Sequence, residues 1–150
     1  MALDATAQKT NFYYSLKKYI IDNFYIPGQC EIVFDRFLPP DATIEQWLAI
    51  IQNPLQRDTL STYVVDLYCV TRKDYEGDKL TVLLDKVAEY FDGDTTQTDG
   101  LKRIPFYDSV SGTQIGAMVV TETKEGDTLD APDQSKFVIV TITFRMASKI

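Results

Sequence analysis

Hydrophobic and polar positions alternate most clearly from Leu60 to Thr71. Tyr63, Val65, Leu67 and Cys69 fall on one side of an extended chain, and Thr62, Val64, Asp66, Tyr68 and Val70 on the other. The period of two predicts a strand. Apolar residues on both sides predict a strand covered on both faces for much of its length, by helices or by a neighbouring subunit. The period then changes. Leu80, Leu83, Leu84, Val87 and Phe91 recur at three and four, with Asp85, Lys86 and Glu89 off the stripe, so 78–91 is predicted to be an amphipathic helix on the sheet. Asp74, Glu76 and Asp78 crowd its start, where carboxylates favour the positive end of the helix dipole, and Asp92-Gly93 closes it.

The flanking segments follow the same logic. Phe12, Leu16, Tyr19, Ile20 and Phe24, with Tyr13, mark a helix over 4–24, with caps offered by Asp4 to Thr6 and an end at Pro27-Gly28. Cys30 to Phe37 reads as extended, and Pro39-Pro40 breaks it. Asp41 to Gln52 is ambiguous: Thr43 and Gln46 have capping-box spacing, while Trp47 to Ile51 is equally a short buried strand. A brief helical turn followed by a strand is the reading taken. Asn53-Pro54 and Gln56-Arg57-Asp58 form a loop, as does the polar run Asp94 to Gly100. Three strands finish the chain, at about 101–107, 114–122 and 135–146, joined by a turn over Asp108 to Gly112 and a long acidic loop over 123–134. The run Phe137 to Phe144 is the strongest strand signal and is expected at the centre of the sheet, with Val138, Val140, Ile142 and Phe144 facing a helix-covered core. The fold class is therefore α+β, a mainly antiparallel sheet with two main helices packed on it. Residues 1–150 form a single domain.

Composition narrows the function more than it names one. Eight Phe, nine Tyr and one Trp in 150 residues suffice for a core without disulfides, so Cys30 and Cys69, both in strand-like runs, are expected as buried free thiols. Nothing at Met1 to Asp4 looks secretory and no run approaches the roughly 18 apolar residues of a membrane span, so a soluble protein folded in a cytoplasm is expected. A net charge of −7, with basic residues only in short pairs such as Lys17-Lys18, Arg72-Lys73 and Lys102-Arg103, argues against a direct nucleic-acid partner. The chain has no His, which removes the commonest general base and the commonest neutral metal ligand.

Candidate chemistry is thin. Asp92-Gly93-Asp94 with Asp99 has a passing likeness to a calcium loop but lacks the spaced third ligand, the sixth-position Gly and the closing Glu. Ser15, Ser61, Ser109, Ser111 and the two cysteines have no His to activate them, and Ser111-Gly112 and Gly126 precede no helix that would cradle a phosphate. Asp66 with Asp85 is a conceivable carboxylate pair, yet Asp66 sits mid-strand with no sign of a cleft. No catalytic residue, cofactor or metal is expected, and an enzyme is not. The carboxylates of the acidic loop (with Glu122 before it, Glu125, Asp127, Asp130 and Asp133) are the candidate partner contact, set against the plain reading of a solvated tip.

The run Tyr63-Val64-Val65-Asp66-Leu67-Tyr68-Cys69-Val70-Thr71-Arg72 leading into the 78–91 helix, with Ile104-Pro105-Phe106-Tyr107-Asp108 and the closing Phe137 to Arg145 strand, resembles the tail terminator (tail completion) proteins of long-tailed bacteriophages. The resemblance is one of pattern and element order over most of the chain. It implies a virion protein, made in the host cytoplasm, that forms a ring of its own copies, usually a hexamer. The ring caps the tail tube, stops its polymerisation and joins the tail to the neck. The implied partners are further copies of itself, the tail tube protein and a neck or head-completion protein, with neither nucleic acid nor membrane bound directly. The alternatives are a phage neck or minor capsid connector, or a small α+β ligand-binding module with Tyr13, Tyr14, Tyr19 and Tyr25 walling an apolar pocket.

Overall fold

The computed structural model describes residues 8–39, 43–56, 60–131 and 135–147. These residues form α1 (Lys9–Phe24), β1 (Glu31–Phe34), β2 (Gln46–Gln52), β3 (Leu60–Thr71), α2 (Asp78–Phe91), β4 (Arg103–Tyr107), β5 (Gln114–Glu125), β6 (Leu129–Asp130) and β7 (Lys136–Ala147). The strands make one sheet in the order β1-β2-β3-β7-β5-β4, with β6 also on β7. β1 and β2 run parallel and every other pair is antiparallel. The protein is an α+β fold with a mostly antiparallel sheet.

The spine is the long β3–β7 pair, in register from Leu60↔Ala147 to Thr71↔Lys136. Both strands are rich in β-branched and aromatic residues, which pack well on a pleated surface. β7 is central, as its pattern predicts. On its inner side Val138, Val140, Ile142 and Phe144 are buried beside Cys69, Leu67, Val65 and Tyr63 of β3. Both helices cover this one face. Phe12 of α1 stacks on Tyr63 with ring centroids 5.3 Å apart, and Phe91 of α2 meets Phe144 edge-on at 6.3 Å. The helices meet at their C-terminal ends, where Phe24 stacks on Phe91 and the Tyr19 hydroxyl donates to the Tyr90 carbonyl at 2.7 Å.

The outer face is covered differently from the expectation. No helix and no second copy is needed at its Val70 end. There Val33, Ile44, Trp47, Ala49 and Val70 form a second buried cluster, closed by Phe37, Tyr68 and Phe137. Phe37 and Ile44, from either side of the β1–β2 connection, lie over it, and Trp47 Nε1 donates to the Phe37 carbonyl at 2.7 Å. Towards the other end Thr62, Val64 and Asp66 are only half-buried.

Several boundaries shift. α1 begins at Lys9 because Gln8 is extended and caps nothing with its side chain, while Asp4 to Thr6 lie outside the described residues. The helical turn expected before β2 is absent over 43–45, and Gln46 is already in the ladder; Asp41 lies outside the described residues. β1 stops at Phe34 because Asp35 turns to a φ of 53°. In α2, Leu80, Leu83, Val87 and Phe91 are buried, but Leu84 is only half-buried at the edge of the core. β5 runs three residues beyond its expected end at Glu122, to Glu125.

Candidate functional site

Two stretches of the acidic loop, Thr123 to Glu125 and Leu129–Asp130, are strand, and residues 132–134 lie outside the described residues. Glu125 pairs with Val140 at the end of β5, Gly126 N–H donates to the Ile139 carbonyl at 2.9 Å, and Leu129 and Asp130 form β6 against Phe137 and Lys136. Asp130 also pairs with the Lys136 ammonium at 3.1 Å. Only Gly126 to Thr128 is left as a free connection before β6, and Glu125, Asp127 and Asp130 are exposed. Asp133 lies outside the described residues. Glu125 and Asp130 are therefore presented from a bonded ladder, and Asp127 from the short connection between β5 and β6.

Asp130 borders a cleft of about 730 Å³ at the end of the sheet where β3 stops and β7 starts, shared with Ile44, Glu45, Arg72, Tyr75 and Lys136. Its walls come from three stretches far apart in sequence, which is why no local pattern announces it. The charged groups here are engaged with one another. Glu45 meets Lys73 at 3.2 Å and Lys79 at 3.4 Å, and those two ammonium groups hold its carboxyl below the usual range. Arg72 lies over the Trp47 ring at 4.6 Å and donates to the Ile44 carbonyl at 3.2 Å.

Asp74, also on the cleft wall, is spent on the helix behind it. Gly77 stands at the N-cap of α2 with φ 80° and has no side chain to offer. The Asp74 carboxylate takes that role instead, accepting Lys79 N–H at 3.2 Å, Leu80 N–H at 2.9 Å and the Thr71 hydroxyl at 3.0 Å. Burial alone would raise its pKa, but the Leu80 and Lys79 amides, the Thr71 hydroxyl and the Lys79 charge together hold it below the ordinary value.

A second, shallower groove of about 400 Å³ runs along α1 between Lys9, Tyr13, Tyr14, Lys17, Gln52 and Ser109. The four tyrosines expected to wall one pocket do not meet there. Tyr19 turns to Tyr90, where burial first and then the neighbouring Tyr90 and Asp94 push its pKa to about 12, and Tyr25 is exposed. Beside the groove Tyr63 donates to Gln52 Oε1 at 2.8 Å, and Gln52 donates to Asp35 at 3.0 Å.

The remaining candidates resolve into structural bonds. Asp94 accepts the Thr96 N–H and hydroxyl at 2.9 and 2.6 Å, and Asp99 forms a two-pronged pair with Arg103 at 2.8 and 3.0 Å. That Arg103 pairing, with the Leu101 amide, takes the Asp99 carboxyl down to about 2. Among the described residues no group of three or more His, Cys, Asp or Glu is placed to hold a metal. Asp66, on the outer face, accepts Thr141 Oγ1 at 2.8 Å and Asn53 Nδ2 at 3.3 Å, while Asp85 is exposed on α2 across the sheet, so the two make no pair. Cys30 and Cys69 are buried and free, and burial pushes both thiols up. No helix among the described residues is long and apolar enough to cross a membrane.

No family model matches the chain, and no curated protein matches it in sequence. A solved structure is similar to it with a TM-score of 0.56 at 12% identity, over 91% of this chain and 91% of that one. A likeness at that identity is one of fold alone.

Proposed function

We propose that this chain is a structural protein of a long-tailed bacteriophage, a tail terminator that assembles into a ring of about six copies. The ring caps the tail tube, stops its growth and provides the seat for the neck. The observation that carries the reading is the order of elements: helix, two short strands, a long strand, a helix, then an antiparallel set closing on a central hydrophobic strand. That is the order on which the resemblance to terminators rests.

The sheet edges bear on how such a ring would be held. β1 is four residues long, and β4 carries Pro105 and gives its Tyr107 N–H to Ser15 of α1 at 2.8 Å. The free flank of β5 follows a bulge and bears Glu122, Lys124 and Glu125. Short length, proline, bulges and charge each discourage strand addition. Copies would therefore associate through side-chain surfaces, which lets a ring close without growing into a continuous sheet.

The test is genetic. In the phage that encodes the protein, loss of this chain should give tails of uncontrolled length, or tails that fail to join heads. Normal infectious particles without it would remove the reading. The 730 Å³ cleft favours a second reading, a small ligand-binding module. A monomer whose melting temperature rises with a small molecule would support that reading instead.

A further inference from the structure

We propose that neighbouring copies dock head to tail, the Val110 turn of one seated in the cleft between Ile44, Tyr75 and Ala131 of the next. The inference rests on the ring reading and names the contact that would build it.

The turn between β4 and β5 is held rigidly. Asp108 Oδ1 accepts Val110 N–H at 2.8 Å, Gly112 N–H donates to the Asp108 carbonyl at 2.8 Å, and Asp108 N–H donates to the Thr113 carbonyl at 2.9 Å. Ser109 N–H is tied to Asn11 Oδ1 of α1 at 3.0 Å. This scaffold presents Val110 95% exposed, with Ile115 partly exposed close by. From Ser109 to Thr113 the tip carries no charged side chain, and Asp108 is occupied by the turn itself.

The cleft matches that tip in character. The charged side chains that line it balance, Glu45, Asp74 and Asp130 against Arg72, Lys73 and Lys136, and the Glu45–Lys73 and Asp130–Lys136 pairs lie within the wall. What it offers an occupant is chiefly Tyr75, which stands 88% exposed on the lip, with Ala131 on the wall and the small accessible part of the buried Ile44 at the floor. Tyrosines in such positions are favoured as interface anchors. A charged ligand would find no unbalanced counter-charge among these groups, whereas a neutral turn needs none. In a chain of net charge −7, a contact between copies that runs through neutral patches avoids self-repulsion.

Position completes the argument. The cleft lies where Thr71 pairs with Lys136. β5 pairs Val119 with Arg145 at the other end of β7, and the turn lies beyond Gln114, further out still. At roughly 3.3 Å per residue, the nine steps from Lys136 to Arg145 alone separate them by about 30 Å. Knob and socket thus lie at opposite ends of the molecule, so the contact is heterologous, the kind that closes a ring when its rotation allows.

Single-cysteine pairing tests this on the full chain, since Cys30 and Cys69 are buried. Under mild oxidation the double variant Val110→Cys, Tyr75→Cys should give a covalent ladder ending at the ring number. A mixture of the two single variants should give cross-linked dimers, and each single variant alone should stay uncrosslinked. Val110→Asp should reduce the ring to monomers that keep the wild-type circular dichroism spectrum, at a melting temperature lowered only by the loss of assembly. A ring of normal mass with no ladder, or one that survives Val110→Asp, overturns the docking and leaves the ring reading standing. Disulfide dimers of Val110→Cys alone also overturn it, because they mark a two-fold contact. A wild-type chain that is monomeric overturns both.

Discussion

Asp74→Ala should be among the most damaging single changes available at a polar site. The carboxylate closes the start of α2 in place of a side chain at Gly77 and holds Lys79 N–H, Leu80 N–H and the Thr71 hydroxyl at 2.9–3.2 Å. Loss of a capping side chain costs about 0.5–2 kcal/mol. The change also strands the Thr71 hydroxyl and the Leu80 amide in a buried setting, where an unsatisfied group costs about 1–3 kcal/mol. Water can re-enter beside the open cleft, so the combined loss should be about 2–4 kcal/mol, below a simple sum. Asp74→Asn keeps one acceptor oxygen but turns its amide NH2 toward one of the two backbone N–H donors and loses the charge at the helix start, and should cost about 1–2 kcal/mol. Because the folded pKa of Asp74 lies below the ordinary value, its ionic stabilisation is fully present above the unfolded pKa of about 3.9 and is lost as pH falls through the folded pKa. The gap between wild type and Asp74→Asn should therefore be largest near neutrality and shrink below about pH 4. Urea titrations of the three proteins, at neutral and acid pH, measure all of this. A loss under about 0.5 kcal/mol for Asp74→Ala, or a gap that widens in acid, would refute the reasoning.

Phe144, fully buried between Tyr63 and Phe91, should cost about 3–5 kcal/mol as Phe144→Ala, and a denaturant shift below about 1 kcal/mol would show that β7 is not the centre of the core. Leu83→Asp puts a carboxylate in the core and should prevent folding, whereas Leu84→Asp at the half-buried edge should yield a folded but weakened protein; equal solubility and stability for both would break the α2 packing. Replacing Glu125, Asp127 and Asp133 with Ser, with Asp130 kept because it neutralises Lys136, should leave fold and native mass intact while giving tails of uncontrolled length. Normal particles from that variant would remove the partner role of the acidic hairpin without touching the terminator reading.

The parts legible in the sequence were those whose side chains declare their own period. β3 and α2 have the expected bounds because their apolar residues repeat cleanly at two and at three to four. The end of β5 was not legible. Glu122-Thr123-Lys124-Glu125 has no apolar face, and its extension comes from backbone partners on β7. The cover over Trp47 was equally hidden, since Phe37 and Ile44 flank Pro39-Pro40 with no regular spacing and act only through tertiary contact. Carboxylates at the start of α2 were expected, but which one caps the helix depends on Gly77 turning to a positive φ and on Thr71 being within reach of Asp74. The cleft escaped altogether, because the segments around 44, 74 and 131 share no motif. The exposed Val110 was the one available signal for the proposed contact, an apolar residue in the middle of a Ser- and Gly-rich turn.

The central claim, a ring built from this chain alone, is tested most directly by its native mass in solution. Light scattering or native mass spectrometry of the purified chain should show a closed species of about six copies that keeps its mass on dilution until it dissociates to monomers. A monomer at every attainable concentration, or a mass that climbs without limit as concentration rises, would contradict the account.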